Sequence, residues 1–72
     1  MKHSNFMIDE AVIRRWNNQL YYICHDIDND KCEFMVDKVK GQKLSKCKVA
    51  ECYMNLRLAT EDEISRGYAE VF

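Results

Sequence analysis

The sequence predicts a mainly β domain, a small barrel of about five strands with one short C-terminal helix. Three observations lead there. Runs of β-branched and aromatic residues recur between residues 10 and 37, separated by Asn- and Asp-rich turn signals. Apolar residues fall on both faces of those runs, as in small twisted barrels whose strands bend between two packed layers. The clearest helix-start signal lies near the end of the chain, at Thr60.

The first run holds Val12, Ile13 and Trp16 and leads into Asn17 and Asn18. Asparagine tolerates the positive φ of tight hairpin turns, so this pair reads as a two-residue turn into a second strand over 20–24. That register sets Ile13 opposite Tyr22 and Val12 opposite Ile23. Asp28, Asn29, Asp30 and Lys31 mark the next turn, before a third strand over 32–36. A two-residue turn at Asn29 and Asp30 puts Cys24 opposite Met35 and Cys32 opposite Ile27, with the two cysteines on opposite faces. A three-residue loop would bring them to the same face. Gly41 then punctuates before 43–49, whose polar–apolar alternation reads as a fourth strand. Residues 50–54 are ambiguous, with room for a single helical turn. Leu56, Arg57, Leu58 and Ala59 form the fifth strand.

Thr60 followed by Glu63 is a capping box, with the threonine as N-cap and the glutamate reaching back to its backbone N–H. Ala59 and Ile64 occupy the positions of a hydrophobic staple. Glu61, Asp62 and Glu63 suit the helix dipole at the start and Arg66 suits it at the end. Gly67 fits the left-handed position beyond the last turn. The helix therefore covers 61–66, a lid or plug on the strands. Residues 1–9 read as an N-terminal tail, and 10–72 as one domain.

The order of a strand, a Trp-Asn-Asn turn, Gln-Leu-Tyr-Tyr-Ile, a second turn and strand, Lys-Leu-Ser-Lys-Cys-Lys-Val, and a last strand into a helix resembles small SH3-like β-barrel proteins of phages and other mobile elements. In those chains the last strand often runs into an R-x-A-T-x-E-E-I-x-x-G helix start, as Arg57 to Gly67 does here. Asn18 stands where that pattern leads one to expect glycine. The resemblance spans residues 10–67 and implies a non-enzymatic barrel that binds another molecule. It transfers no functional residue.

A chain of 72 residues buries only about 60% of its unfolded surface, so its stability margin is thin. The formal net charge of −1 gives no whole-chain field that recruits nucleic acid or a membrane. The longest aliphatic and aromatic run, Leu20 to Ile23, is far below the ~20 residues of a membrane span. Charges interrupt the opening residues where a secretory leader needs an apolar core, so a cytoplasmic location is expected. In a reducing compartment Cys24, Cys32, Cys47 and Cys52 are expected to be free thiols packed as small hydrophobes. Of their spacings only that between Cys47 and Cys52 suits a zinc knuckle, so no metal is expected.

Asp26, Asp28 and Asp30 open like an EF-hand loop, but Lys31 stands where that loop needs glycine and Asp37 where it needs glutamate. A solvated turn built from Asx residues explains them better. No nucleophile motif or phosphate-cradling glycine loop is present, and His25 is the one histidine outside the opening residues. A domain of this size also lacks room for a water-excluding site of about 300 Å³ unless it forms a homo-oligomer. Neither enzyme activity nor a cofactor is expected.

Lys38, Lys40, Lys43, Lys46 and Lys48 place five of the eleven basic residues in eleven positions, and Arg14 and Arg15 lie on another strand. One or two lysines suffice to guard an edge strand against aggregation, so the surplus points to a partner surface. Lys40, Lys43, Lys46, Lys48, Arg14 and Arg15 are the expected partner-binding residues. Trp16, Tyr21 and Tyr22 read first as core residues and alternatively as stacking platforms. The expected function is a non-catalytic protein-interaction module, an inhibitor or modulator of a host or cellular protein. The alternative is a nucleic-acid-binding barrel that uses the lysine strand over 38–48.

Overall fold

The computed structural model describes residues 6–28 and 33–70. Five antiparallel strands form one sheet: β1 (Ala11–Arg14), β2 (Gln19–Asp28), β3 (Glu33–Asp37), β4 (Val49–Cys52) and β5 (Leu56–Leu58). Their spatial order is β4-β3-β2-β1-β5, and one helix, α1 (Glu61–Arg66), follows β5. The expected mainly β composition and short C-terminal helix are therefore present. No ladder joins β4 to β5 among the described residues, so the sheet is open.

The open sheet is strongly curled. Strands spaced about 4.8 Å apart would leave β4 roughly 14 Å from β1 in a flat sheet. Yet Arg14 Nε on β1 lies 2.5 Å from Glu51 Oε1 on β4. The curl wraps a concave core of Val12, Tyr21, Ile23, Phe34, Val36 and Leu56, with Val49 and Tyr53 packed against it. Two register shifts in the β2–β3 ladder, between Ile23 and His25 and between Asp26 and Asp28, supply the bending. Phe6 closes part of this core by meeting Phe34 edge-on, with ring centroids 5.6 Å apart. The segment assigned to a tail thus joins the fold from Phe6 onward.

Val12 and Ile13 are adjacent in sequence, point to opposite faces, and are both 0% exposed. Two coverings explain this. Val12 faces the concave core, whereas Ile13 and Leu20 pack on the convex side with Ala69, flanked by Ala11, Tyr22 and Ala59. The C-terminal segment reaches that side because Gly67, at φ 84°, turns the chain back after the helix. Backbone hydrogen bonds from Leu20 N to Gly67 O (3.2 Å) and from Ala69 N to Asn18 O (2.7 Å) then fasten it beside the start of β2.

Helix α1 starts as its sequence predicts. Thr60 Oγ1 accepts from the Glu63 N–H, and a Glu63 carboxylate oxygen accepts from the Thr60 N–H at 2.9 Å. The same carboxylate takes a two-pronged bond from Arg57 on β5, at 2.8 and 2.6 Å, which ties the helix to the sheet. That guanidinium is the leading cause holding the Glu63 carboxyl down to about 2. No residue of the helix is buried. It lies on the surface, fastened by its first turn, so of the expected lid or plug the plug is excluded.

Three details differ from expectation, two of them registers. Ile13 pairs with Leu20 and Val12 with Tyr21, because residues 15–18 form a four-residue connection. Both Asn17 N and Asn18 N donate to Arg14 O, and Asn18 alone of the pair takes the left-handed conformation, at φ 59°. The slip is two residues, so each side chain keeps its face. Met35 pairs with His25, since a β2–β3 register shift displaces Cys24 from the expected position. The turn at 29–32, with Cys32, lies outside the described residues, as do the side chains of Asp26 and Asp28.

The third difference concerns the lysine segment. Residues 43–49 are not a strand: Leu44–Lys46 is a 3-10 turn, and β4 begins only at Val49. The apolar positions 44 and 47 are three apart, the period of a 3-10 turn, and only 47 and 49 keep the period of a strand. Lys46 N and Cys47 N both donate to Lys43 O, and the buried Cys47 thiol donates to Val36 O at 3.0 Å. These bonds anchor the turn against β3. A second 3-10 turn, Tyr53–Asn55, joins β4 to β5, so the ambiguous stretch 50–54 holds most of β4 and the start of this turn.

Candidate functional site

β1 and β3 run parallel, because each is antiparallel to β2. The 15–18 turn after β1 and the loop after β3 therefore emerge at the same end of the sheet. The Tyr53–Asn55 turn leaves β4 at the other end of its ladder with β3, where Cys52 faces Glu33, but meets the 15–18 turn, since Arg15 N donates to Asn55 O at 2.7 Å. Where the two turns meet lies a polar and aromatic assembly centred on Glu51.

Glu51 stands opposite Phe34 on the concave face and is 8% exposed. A carboxylate so placed must be well supplied with donors. Its Oε1 accepts from Arg14 Nε at 2.5 Å and from Trp16 Nε1 at 2.8 Å. Its Oε2 accepts from Asn55 Nδ2 at 2.9 Å and from the Cys52 N–H at 3.1 Å. Burial pushes this carboxyl up, but the bonds from Asn55, Arg14, Trp16 and the Cys52 backbone outweigh it and bring it down to about 2. The group is a fixed anion, unsuited to taking or giving a proton near neutrality.

Around that anion, cations and rings alternate. The Arg14 guanidinium carbon lies 4.1 Å from the Trp16 ring centroid and 5.4 Å from that of Tyr21. Lys38 Nζ lies 5.8 Å from the Tyr21 centroid and donates to Gln19 Oε1 at 3.4 Å. Asn17 Nδ2 donates to the Tyr21 hydroxyl at 3.3 Å, and Asn17 Oδ1 accepts from the Gln19 N–H at 3.0 Å. Burial raises the Tyr21 phenol, but Asn17, Arg14 and Lys38 together leave it below the ordinary tyrosine value.

The outcome for Trp16 is unusual. Its N–H is bonded inward and one ring face meets Arg14, yet the residue is 62% exposed. The reading of Trp16 as a core residue is therefore corrected, because β1 ends at Arg14 and Trp16 sits on the turn beyond it. Tyr21, at 7% exposed, does fill the core. On the adjoining 3-10 turn Met54 is 65% exposed. Trp16 and Met54 are thus two exposed apolar side chains on turns joined by the Arg15 N to Asn55 O bond, an apolar shelf beside a buried ionic foundation.

The expected partner-binding residues separate into two groups. Arg14 is inside the assembly, committed to Glu51, Trp16 and Tyr21. Arg15, Lys40, Lys43, Lys46 and Lys48 are exposed. Lys46 and Lys48 do not share a strand face, because they flank the end of a 3-10 turn. Sequence reasoning missed Glu51 and Asn55. Glu51 is 37 residues from Arg14 and 35 from Trp16, so no local pattern announces it. The usable signal was its acidic side chain between apolar residues of a strand-forming run.

Cys24, Cys47 and Cys52 carry free thiols. Burial, the Cys47 thiol, Asp37 and Asp9 push the Cys24 thiol up to about 12, so it stays protonated. No group of three or more His, Cys, Asp or Glu side chains able to hold a metal occurs among the described residues. Among the described residues no helix is long and apolar enough to cross a membrane. No family model, curated protein or solved structure matches this chain.

Proposed function

We propose that this chain is a non-catalytic protein-interaction module whose contact surface is the Trp16 shelf and its basic surround. The observation that carries the reading is Trp16, kept 62% exposed while its N–H and one ring face are held from below. An exposed tryptophan fixed in one orientation has little conformational freedom left to lose on binding. Tryptophan and arginine are also the side chains most enriched among the residues that dominate protein interfaces.

The fold supports the finer reading of an SH3-like barrel through three features. The first and last strands lie side by side, a 3-10 turn links β4 to β5, and all five strands supply the concave core. With the resemblance to mobile-element proteins, this extends the proposal to a cytoplasmic inhibitor or modulator of a host protein. The nucleic-acid reading draws on the same lysines. It is weaker because it needs several stacking rings on one surface. Of the three rings that reading uses, Tyr21 is buried and Tyr22 packs on the convex side, which leaves Trp16; the exposed Tyr68 lies beside Gln19 and not on the Trp16 turn.

Capture from a host lysate by the wild-type chain and by Trp16→Ala, both checked for folding, tests the proposal. Proteins retained by the wild type and lost by the variant support it. Equal retention by both removes Trp16 from the contact surface.

A further inference from the structure

We infer that the occupant of this surface is an acidic segment of a partner polypeptide, with one apolar side chain seated on Trp16 and Met54 and its carboxylates facing Arg15 and the lysine loop. The inference rests on the interaction-module reading and assigns the partner's chemistry.

The argument is first one of charge. Residues 38–50 contain five lysines and no aspartate or glutamate. The ion pairs formed among the described residues, Arg14–Glu51, Arg57–Glu63 and Arg66–Glu70, all use arginine. Lys40, Lys43, Lys46 and Lys48 are exposed and pair with no carboxylate among the described residues. In a chain of net charge −1 this leaves a local positive field at one end. The loop's first lysine reaches the assembly under the shelf, because Lys38 Nζ and the Arg14 guanidinium both lie over the Tyr21 ring and Arg14 also meets Trp16. Glu51 does not oppose it, because Arg14 neutralises that carboxylate where they touch.

The second part concerns the shape of the apolar element. One indole and one thioether on adjoining turns make a small site for a single side chain. Methionine adapts to an irregular apolar partner but offers no planar face for a base. Successive nucleotides would need a second ring beside the first. A polypeptide needs only one anchor, with polar and charged groups at the rim.

The test is a display selection of random peptides on the immobilised wild-type chain, followed by affinity measurement of the selected peptides. Selected sequences should carry aspartate and glutamate flanking one apolar or aromatic residue. Trp16→Ala should weaken them about tenfold or more. The triple variant Lys43→Glu, Lys46→Glu, Lys48→Glu should slow their association about tenfold and reduce its salt dependence. Peptides that depend on Trp16 but are not acidic would overturn this inference and leave the contact surface standing. Peptides indifferent to Trp16, or no enrichment at all, would overturn both. Oligothymidylate binding that quenches Trp16 and weakens steeply with salt would transfer the site to nucleic acid and also overturn the inference.

Discussion

Trp16 and the lysine loop occupy the same end of the sheet and are built in opposite ways. Trp16 is an apolar ring held in place by a buried carboxylate, a guanidinium and a backbone turn. The lysines from Lys40 onward are charged ends that no described carboxylate holds. A fixed ring contributes contact energy at short range, once water has been expelled. Free ammonium groups act farther out, over about a Debye length of 8–10 Å, and fade as salt rises. Removing the ring should therefore speed dissociation, and reversing the lysines should slow association.

The comparison breaks most visibly at Glu51. Replacing Glu51 with Ala leaves Arg14, the Trp16 N–H and the Asn55 amide without their acceptor. Urea unfolding should show a loss of about 2–4 kcal/mol, near the lower part of the range for breaking a buried pair because Arg14 keeps some contact with water. A loss below ~1 kcal/mol would mean that the foundation under Trp16 is not ionic.

Acid sharpens the same point. The Glu51 carboxyl ionises at about 2 in the fold, below the ordinary glutamate value of about 4.3. A depressed carboxyl stabilises the fold fully above its unfolded value and loses that contribution as pH falls toward its folded value. Stability should thus decline from about pH 4.5 down to about pH 2. Glu51→Gln should flatten part of the decline, and Glu63, also held to about 2, should retain the remainder. Parallel acid titrations of the two chains followed by far-ultraviolet circular dichroism decide it.

Smaller in stability but larger in binding is Trp16→Ala. It removes one hydrogen bond and one cation–ring contact, about 1–2 kcal/mol together. The chain should stay folded while partner dissociation accelerates. The smallest expected stability change belongs to Lys43→Glu, Lys46→Glu, Lys48→Glu, about 0.5 kcal/mol or less per site by thermal unfolding. A cooperative loss of several kcal/mol would show that the loop carries structural bonds.

Features whose causes are local were legible in the sequence. The capping box lies within one helical turn of Thr60, and both halves of it are present. The burial of Val12 and Ile13 on opposite faces was readable from their apolar character, although what covers each face was not. The C-terminal segment over Ile13 depends on Gly67 and Ala69 meeting Asn18 and Leu20 across about fifty positions of chain. The lysine segment misled because charged residues alternating with small apolar ones satisfy a strand and a tight turn equally. The Cys47 thiol bond to Val36 O decides between them, and that contact is tertiary. Glu51 was hidden for the same reason, since its meaning comes from Arg14, Trp16 and Asn55 meeting across the curl.

The central claim is that one tryptophan ring is open to solvent while its N–H is locked to Glu51. The chain has a single tryptophan, so both halves can be read without ambiguity. Acrylamide quenching reports access to the ring, and hydrogen exchange of the indole N–H by nuclear magnetic resonance reports its bond. The account predicts efficient quenching together with a protected indole proton, and loss of that protection in Glu51→Ala, which removes the acceptor, with the ring still open to quenching. A ring shielded from acrylamide, or an indole proton that exchanges at the free rate in the wild-type chain, would contradict it.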